Sequence, residues 1–208
     1  DNLISNYPSG IEENFWLMDL PSYPNTEGSV IIIDPFGDEA DRFDYHEDMH
    51  FALINDPDGV SLERISASLP TNEADNWHSA SSTENYATPG YLNSQDYDPS
   101  DDAAEVSLSA EIISPDNDGY QDVVSINYQF NEPGYLMSVS IYTDKGVLIN
   151  PLVSNRIIGN EGSFIWNGTK ENGEKAHTGI HVIMVEAFNL NNKQERFRLP
   201  IVVATKLN

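Results

Sequence analysis

The sequence predicts an all-β chain arranged as two sandwich modules in tandem, and three observations carry that expectation. Apolar and polar residues alternate at period two in run after run, no stretch sustains helical periodicity, and Gly, Pro, Asn and Asp clusters separate the runs at short intervals. A chain of 208 residues is long enough to bury two modest cores. The acidic, patternless stretch at residues 96–104 reads as a linker between a module at 1–95 and one at 105–208.

In the first module, the β-branched run Val30 to Ile33 closes on Asp34-Pro35-Phe36-Gly37 and predicts a buried strand leaving into a turn. Arg42 to Tyr45 alternates, so Phe43 and Tyr45 point one way and Arg42 and Asp44 the other. Two further apolar segments, Phe51 to Ile54 and Val60 to Ile65, flank the turn Asp56-Pro57-Asp58-Gly59. In the second module, Val106, Leu108, Ala110 and Ile112 alternate with polar residues, as do Val124, Ile126, Tyr128 and Phe130. These are half-buried strands. Met137, Val139 and Ile141 form the next, closed by Asp144-Lys145-Gly146 before Val147 to Ile149. Ser163 to Trp166 follows, then Ile180 to Phe188, apolar on both faces and therefore central, then Phe197, Leu199, Ile201 and Val203. About seven short strands with turn residues between them predict an immunoglobulin-like β-sandwich.

Charge and composition remove several classes of partner. With 34 Asp and Glu against 10 Lys and Arg, the net charge of −24 repels phosphate backbones and anionic headgroups, which argues against nucleic acid and membrane insertion as modes of action. The same carboxylate excess suits a setting rich in Ca²⁺, which takes hard oxygen ligands. There is no cysteine, so neither a disulfide nor a thiolate nucleophile is available. No apolar run approaches the roughly 20 residues that span a bilayer, and the opening DNLISNYPSG lacks the basic and apolar regions of a secretion signal. A mature exported polypeptide fits this pattern as well as a cytosolic one.

Several motifs in order carry a resemblance. LPSYPNTEGSVIIID (20–34), DRFDYHEDMH (41–50), GVSLERIS (59–66) and TPGYLNSQ (88–95) together resemble the later half of bacterial lamin-tail domains of exported or surface proteins of the Bacteroidetes. That likeness implies an immunoglobulin-like fold for residues 1–95. Such modules open with a strand carrying an INE-like sequence that is absent here, which leads us to expect N-terminal strands missing from this module. Residues 105–208, through SPDNDGYQD and FIWNGTKENGEKAHTGIHVIMVEA, resemble the immunoglobulin-like domain of the flagellar hook-capping protein and C-terminal modules of gliding-motility and type IX secreted proteins. Asp116, Asn117, Asn167 and His181 depart from the Asn, Gly, Asp and Tyr of that pattern. Together the two likenesses imply a non-catalytic structural or adhesive module, exported to the cell surface. It would require no cofactor, and its partner would be a protein or a cell-surface glycan.

Among site candidates, SPDNDGYQD ranks first. Asp116, Asp118 and Asp122, with the carbonyl of Tyr120 and the sharp turn that Gly119 permits, reproduce part of a D-x-D-G loop and make a structural Ca²⁺ site the expectation to test. The competing reading is a tight turn whose carboxylates accept backbone N–H groups. A twelve-residue loop would put its Glu where Asn127 stands. His46-Glu47-Asp48-Met49-His50 spells H-E-x-x-H, which in a zinc hydrolase places both His on one face of a helix with Glu as general base. Here it follows an alternating strand, so structural polar residues at a turn are the plainer reading. Trp77-His78-Ser79, with Ser81 and Ser82, lacks a nucleophile elbow, and Trp77 reads as a loop anchor. Glu63 and Arg64 face opposite ways on one strand, leaving Arg64 to tie a neighbouring loop. Trp166 reads as core, with Asn167-Gly168 as the turn after it; Asn167-Gly168-Thr169 also spells a glycosylation acceptor. A carbohydrate-binding module would need an exposed aromatic row such as Tyr86, Tyr91 and Tyr97.

Overall fold

Residues 2–16, 18–97 and 104–205 are described by a computed structural model. The chain divides into two units, Asp1–Ser100 and Asp101–Asn208. Most of the expected linker, residues 98–103, lies outside the described residues.

In the first unit, a short helix α1 (Asn2–Asn6) precedes the hairpin of β1 (Glu27–Ile33) and β2 (Glu39–His46), and a second, shorter ladder pairs β3 (Leu62–Arg64) with β4 (Trp77–Ser79). Alternation in β2 is as the sequence indicates. Phe43 stacks on Trp77 with ring centroids 3.7 Å apart and lies 6.2 Å from the Tyr45 ring. On the other face the Arg42 guanidinium grips Asp44 at 2.9 Å and, together with bonds from Ser29 and Asn72, holds that carboxyl well below the usual carboxylate range. Gly28 is required opposite Tyr45, because a Cβ there would collide with the ring.

Two expectations for this unit are corrected. Val30 to Ile33 is a strand, but an exposed one, at 37, 41, 59 and 55 %. A four-residue run of β-branched side chains dictates extended backbone, whereas burial needs a covering layer, and the β1–β2 ladder has only two strands. Phe51 to Ile54 forms no strand: Phe51 is buried, but Ile54 donates its N–H to the Phe51 carbonyl in a turn.

The second unit is a two-layer sandwich. Its strands are β5 (Glu105–Leu108), β6 (Ile112–Ile113), β7 (Val124–Gln129), β8 (Leu136–Thr143), β9 (Leu148–Ile157), β10 (Glu161–Trp166), β11 (Gly179–Phe188) and β12 (Gln194–Val203). One sheet has the order β10–β7–β5 and the other β6–β12–β11–β8–β9. This is the immunoglobulin-like plan: the chain starts in the smaller sheet, crosses to the larger one at β6, and ends in β12 beside and parallel to β6. The core takes its side chains from both layers: Ile126, Tyr128 and Phe164 from one, and Met137, Val139, Ile141, Ile183, Val185, Ile201 and Val203 from the other. At about 1.5–3 kcal/mol for each fully buried aliphatic side chain, this layer is what holds the unit together.

The crossing explains the one register error in this unit. Ile113, not Ile112, is buried, because the chain changes sheets between Leu108 and Ile112 and the alternation restarts. β11 is central, between β12 and β8, as its two apolar faces indicate. β9 runs further than Val147 to Ile149 suggests and passes through Pro151; it is an edge strand with register shifts against β8, where a missing N–H is tolerated. Gly162 pairs with Tyr128, whose ring occupies the space a Cβ would fill.

Candidate functional site

The Asp-rich loop joins β6 to β7 and gathers three of the residues singled out from sequence. Oxygens of Asp116, Asp118 and Asp122 lie within 4.8 Å of one another. The same carboxylates serve the loop backbone. Asp122 accepts the N–H groups of Asn117 at 2.6 Å and Gly119 at 2.8 Å, Asp118 accepts that of Tyr120 at 2.9 Å, and Asp116 that of Asp118 at 3.2 Å. Asn117, Gly119 and Gln121 adopt φ of 64, 87 and 53°, left-handed values suited to Asn and Gly, which give the loop its tight path. Hard oxygens in this number suit Ca²⁺ in kind but fall short of the about six to eight it takes. Asn127 sits inside β7, with its Oδ1 accepting from the Ser125 hydroxyl at 2.8 Å.

The H-E-x-x-H segment does not take the hydrolase geometry. Its middle residues form a three-residue 3-10 turn, Glu47–Met49, rather than a helix, because the chain enters it directly from β2. His46 is exposed and accepts the Asp48 N–H at 3.1 Å, whereas His50 is half-buried with Nδ1 3.0 Å from the Ser79 hydroxyl. Among the described residues, the Asp loop alone gathers three metal-ligating side chains.

A buried polar network that the sequence did not single out lies beside that turn. Glu63, 4 % exposed, accepts the Thr88 hydroxyl at 2.5 Å and the Ser94 hydroxyl at 2.7 Å. Asn93 donates to the Arg64 carbonyl at 2.9 Å, so the segment TPGYLNSQ is bonded onto β3. Arg64, on the opposite face, ties the carbonyls of Ser66, Ala67 and Leu69. Asn76 is buried and bonds both the N–H and the carbonyl of Ser66. The available signal was the period-two position of Glu63, opposite Leu62 and Arg64 in face, combined with the hydroxyls of Thr88 and Ser94; no spacing rule links residues 25 and 31 apart.

Burial pushes the His78 ring below its ordinary 6.5 despite the Ser79 carbonyl and the Glu63 charge, and pushes His50 the same way with help from His78. A depressed His favours the neutral ring in the fold, so its contribution is complete above pH 6.5 and is lost as pH falls below that value. Thermal melting of the first unit should therefore drop as pH is lowered from about 7.5 to 5.5, and His78→Gln should flatten the dependence. An unchanged slope in that variant would remove His78 as its source.

Trp77 acts as an anchor: besides stacking on Phe43, it donates its indole N–H to the Thr71 carbonyl at 2.7 Å. Ser79 is fully buried and accepts the Phe51 N–H at 2.9 Å, a structural task. Of the three tyrosines, Tyr86 alone is exposed; Tyr91 is half-buried and bonds Glu84 at 2.8 Å, and burial with that carboxylate drives its phenol upward in pKa. The exposed aromatic row does not form.

No family model matches the chain, and no curated protein does. Solved structures similar to part of it include the PKD domain of an M14-like peptidase from Thermoplasmatales archaeon SCGC AB-540-F20, at 12 % identity and TM-score 0.31, covering 50 % of this chain and 94 % of that one. PorZ, an essential bacterial surface component of the type IX secretion system of Porphyromonas gingivalis, is 21 % identical at TM-score 0.30, covering 47 % of this chain and 11 % of that one. FlgD from P. aeruginosa is 18 % identical at TM-score 0.33, covering 46 % and 72 %. At these scores the likenesses carry no functional argument.

Proposed function

We propose that this chain is a non-catalytic structural or adhesive segment of an exported cell-surface protein, with residues 1–95 lamin-tail-like and residues 105–208 a hook-capping-like spacer that bears tension. The supporting observation is the parallel pairing of β6 with β12, the crossover strand and the last strand of the second unit. Val202 donates to the Glu111 carbonyl at 2.9 Å and Ala204 to the Ile113 carbonyl at 2.8 Å. When the two ends of this unit are drawn apart, parallel neighbours slide past each other, so these bonds are loaded together rather than opened one by one. The expected partner is a protein, with a cell-surface glycan as the second choice.

Single-molecule pulling from residues 104 and 205 tests the reading. Unfolding force should exceed that for pulling across the β8–β9 hairpin, and Ala204→Pro, which deletes one of the loaded N–H donors, should lower it. Equal forces in the two directions would sink the tension-bearing role.

We also propose that the Asp116 loop takes a structural Ca²⁺, with Asp116, Asp118, Asp122 and the Tyr120 carbonyl as ligands. The melting temperature of the dialysed protein should rise with Ca²⁺ and fall with EDTA, the ion adding about 2.7 kcal/mol of stability at a hundred times its dissociation constant. The shift should vanish in Asp116→Ala/Asp118→Ala. A Ca²⁺-dependent rise that survives the double variant would place the ion elsewhere.

A further inference from the structure

The first unit combines a shortage of buried apolar side chains with an exposed apolar strand. Among its described residues Phe51, Ile65 and Ala80 are the buried hydrophobics, beside the buried polar Glu63, Asn76, Ser79, Ser81, Thr88 and Gln95. Three apolar side chains are far fewer than ordering a unit of this size requires, since each fixed residue costs about 1–2 kcal/mol in backbone entropy. Yet Val30 to Ile33 stands in solvent.

Among the described residues, the edge of β1 that faces away from β2 is also unpaired, because the ladder is two-stranded. Asp44 donates its backbone N–H to the Asn72 side chain at 2.7 Å, so that N–H points away from β1. Asp44 therefore pairs with Ser29 without ladder bonds, and the N–H and C=O groups of Ser29 and Ile31 point to the free edge. Natural edges of this kind carry Lys, Pro or a bulge that blocks pairing. From Gly28 to Ile32 β1 has none of these; its register shifts only at Ile33.

Charge around the strand selects the occupant. Glu27 and Asp34 bracket the apolar run, and Glu39, Asp41 and Asp44 on β2 outnumber Arg42. A second copy, at −24, meets repulsion on approach. We propose that the free edge of β1, over Ser29–Ile33, docks an extended strand of a protein partner that is apolar at its centre and basic at its ends. The partner's backbone would bond Ser29 and Ile31, its apolar side chains would cover the β1 isoleucines, and its terminal cations would meet Glu27 and Asp34. The proposal rests on the attachment reading above.

The test uses the full chain and a dye-labelled synthetic peptide, Lys-Val-Thr-Val-Thr-Val-Lys, with a Glu-ended version as control. Fluorescence anisotropy should show saturable binding of the Lys-ended peptide, at least tenfold weaker binding of the control, and slowed amide exchange at Ser29 and Ile31. Ile31→Pro removes the outward N–H, a change an edge strand accommodates, and should weaken binding tenfold or more; Ile31→Lys keeps the N–H and should weaken it through like charge. No saturation up to about 1 mM peptide, equal binding of the two peptides, or an Ile31→Pro variant that binds normally would each overturn the proposal. Concentration-dependent dimerisation that Ile31→Pro abolishes would overturn it in favour of a second copy. The pulling experiment reads the second unit alone, so failure of the docking edge and failure of the tension-bearing role can be told apart.

Discussion

Trp166→Ala is expected to destabilise the second unit by about 3–5 kcal/mol, the range for deleting a large aromatic from a packed core. Trp166 is fully buried at the end of β10, lies 6.0 Å from the His181 ring, and donates its indole N–H to the Thr169 carbonyl at 2.8 Å. The substitution removes the largest side chain of the sandwich core and takes one of two donors from that carbonyl, the Asn150 side-chain amide at 2.8 Å being the other. Trp166→Phe separates the two effects: it retains most of the volume and loses the bond, so the larger part of the cost should return. Urea denaturation followed by amide exchange at Ile183 and Val185 reads the unit directly. A Trp166→Ala variant within about 1 kcal/mol of the parent would mean that the core is less tightly packed than its geometry implies.

Glu63→Ala should cost the first unit about 3 kcal/mol. Hydrogen bonds to a charged group contribute about 1.5–3 kcal/mol each, and Glu63 accepts two from hydroxyls in a buried setting. Truncation leaves Ser94 without this acceptor and Thr88 with only the Asn93 side-chain oxygen at 3.3 Å, and it loosens residues 88–95 from β3, to which the Asn93 bond to the Arg64 carbonyl still holds them. Glu63→Gln keeps the shape and one carbonyl oxygen, so it should lose less. Exchange protection at Leu62–Arg64 and at Tyr97, whose N–H bonds the Ile65 carbonyl at 2.9 Å, is the readout. Full protection in Glu63→Ala would make the network incidental to this unit, and its polar interior would then need another explanation.

Much of the second unit was legible in residue order. Val124, Ile126, Tyr128 and Phe130 declare their inward face by strict alternation, and all four are buried. Ile180 to Phe188 declares a central strand by being apolar on both faces, which holds because neighbours flank it on each side. The same logic failed at Ile112, where a change of sheet resets the period, and at Val30 to Ile33, where β-branched residues fixed the backbone but not its surroundings.

Candidate sites divided along similar lines. The Asp loop is contiguous, so its carboxylates converge through local turn geometry that Asn117 and Gly119 encode directly. The H-E-x-x-H spelling is just as contiguous, but the same letters carry different chemistry on a helix and after a strand. Glu63, Thr88 and Ser94 are distant in sequence and meet only through the pairing of β3 with β4 and the folding back of residues 88–95.

By itself the sequence determined the all-β class, the inward faces of most strands in the second unit, the turns and the acidic surface, because each depends on backbone preference and on the alternation of neighbouring side chains. Tertiary structure alone decided which strands share a sheet, that β6 lies parallel to β12, that Glu63 is buried, and that the isoleucines of β1 are exposed. Burial depends on what packs from across the fold, and alternation along one strand carries no information about whether a second layer covers it.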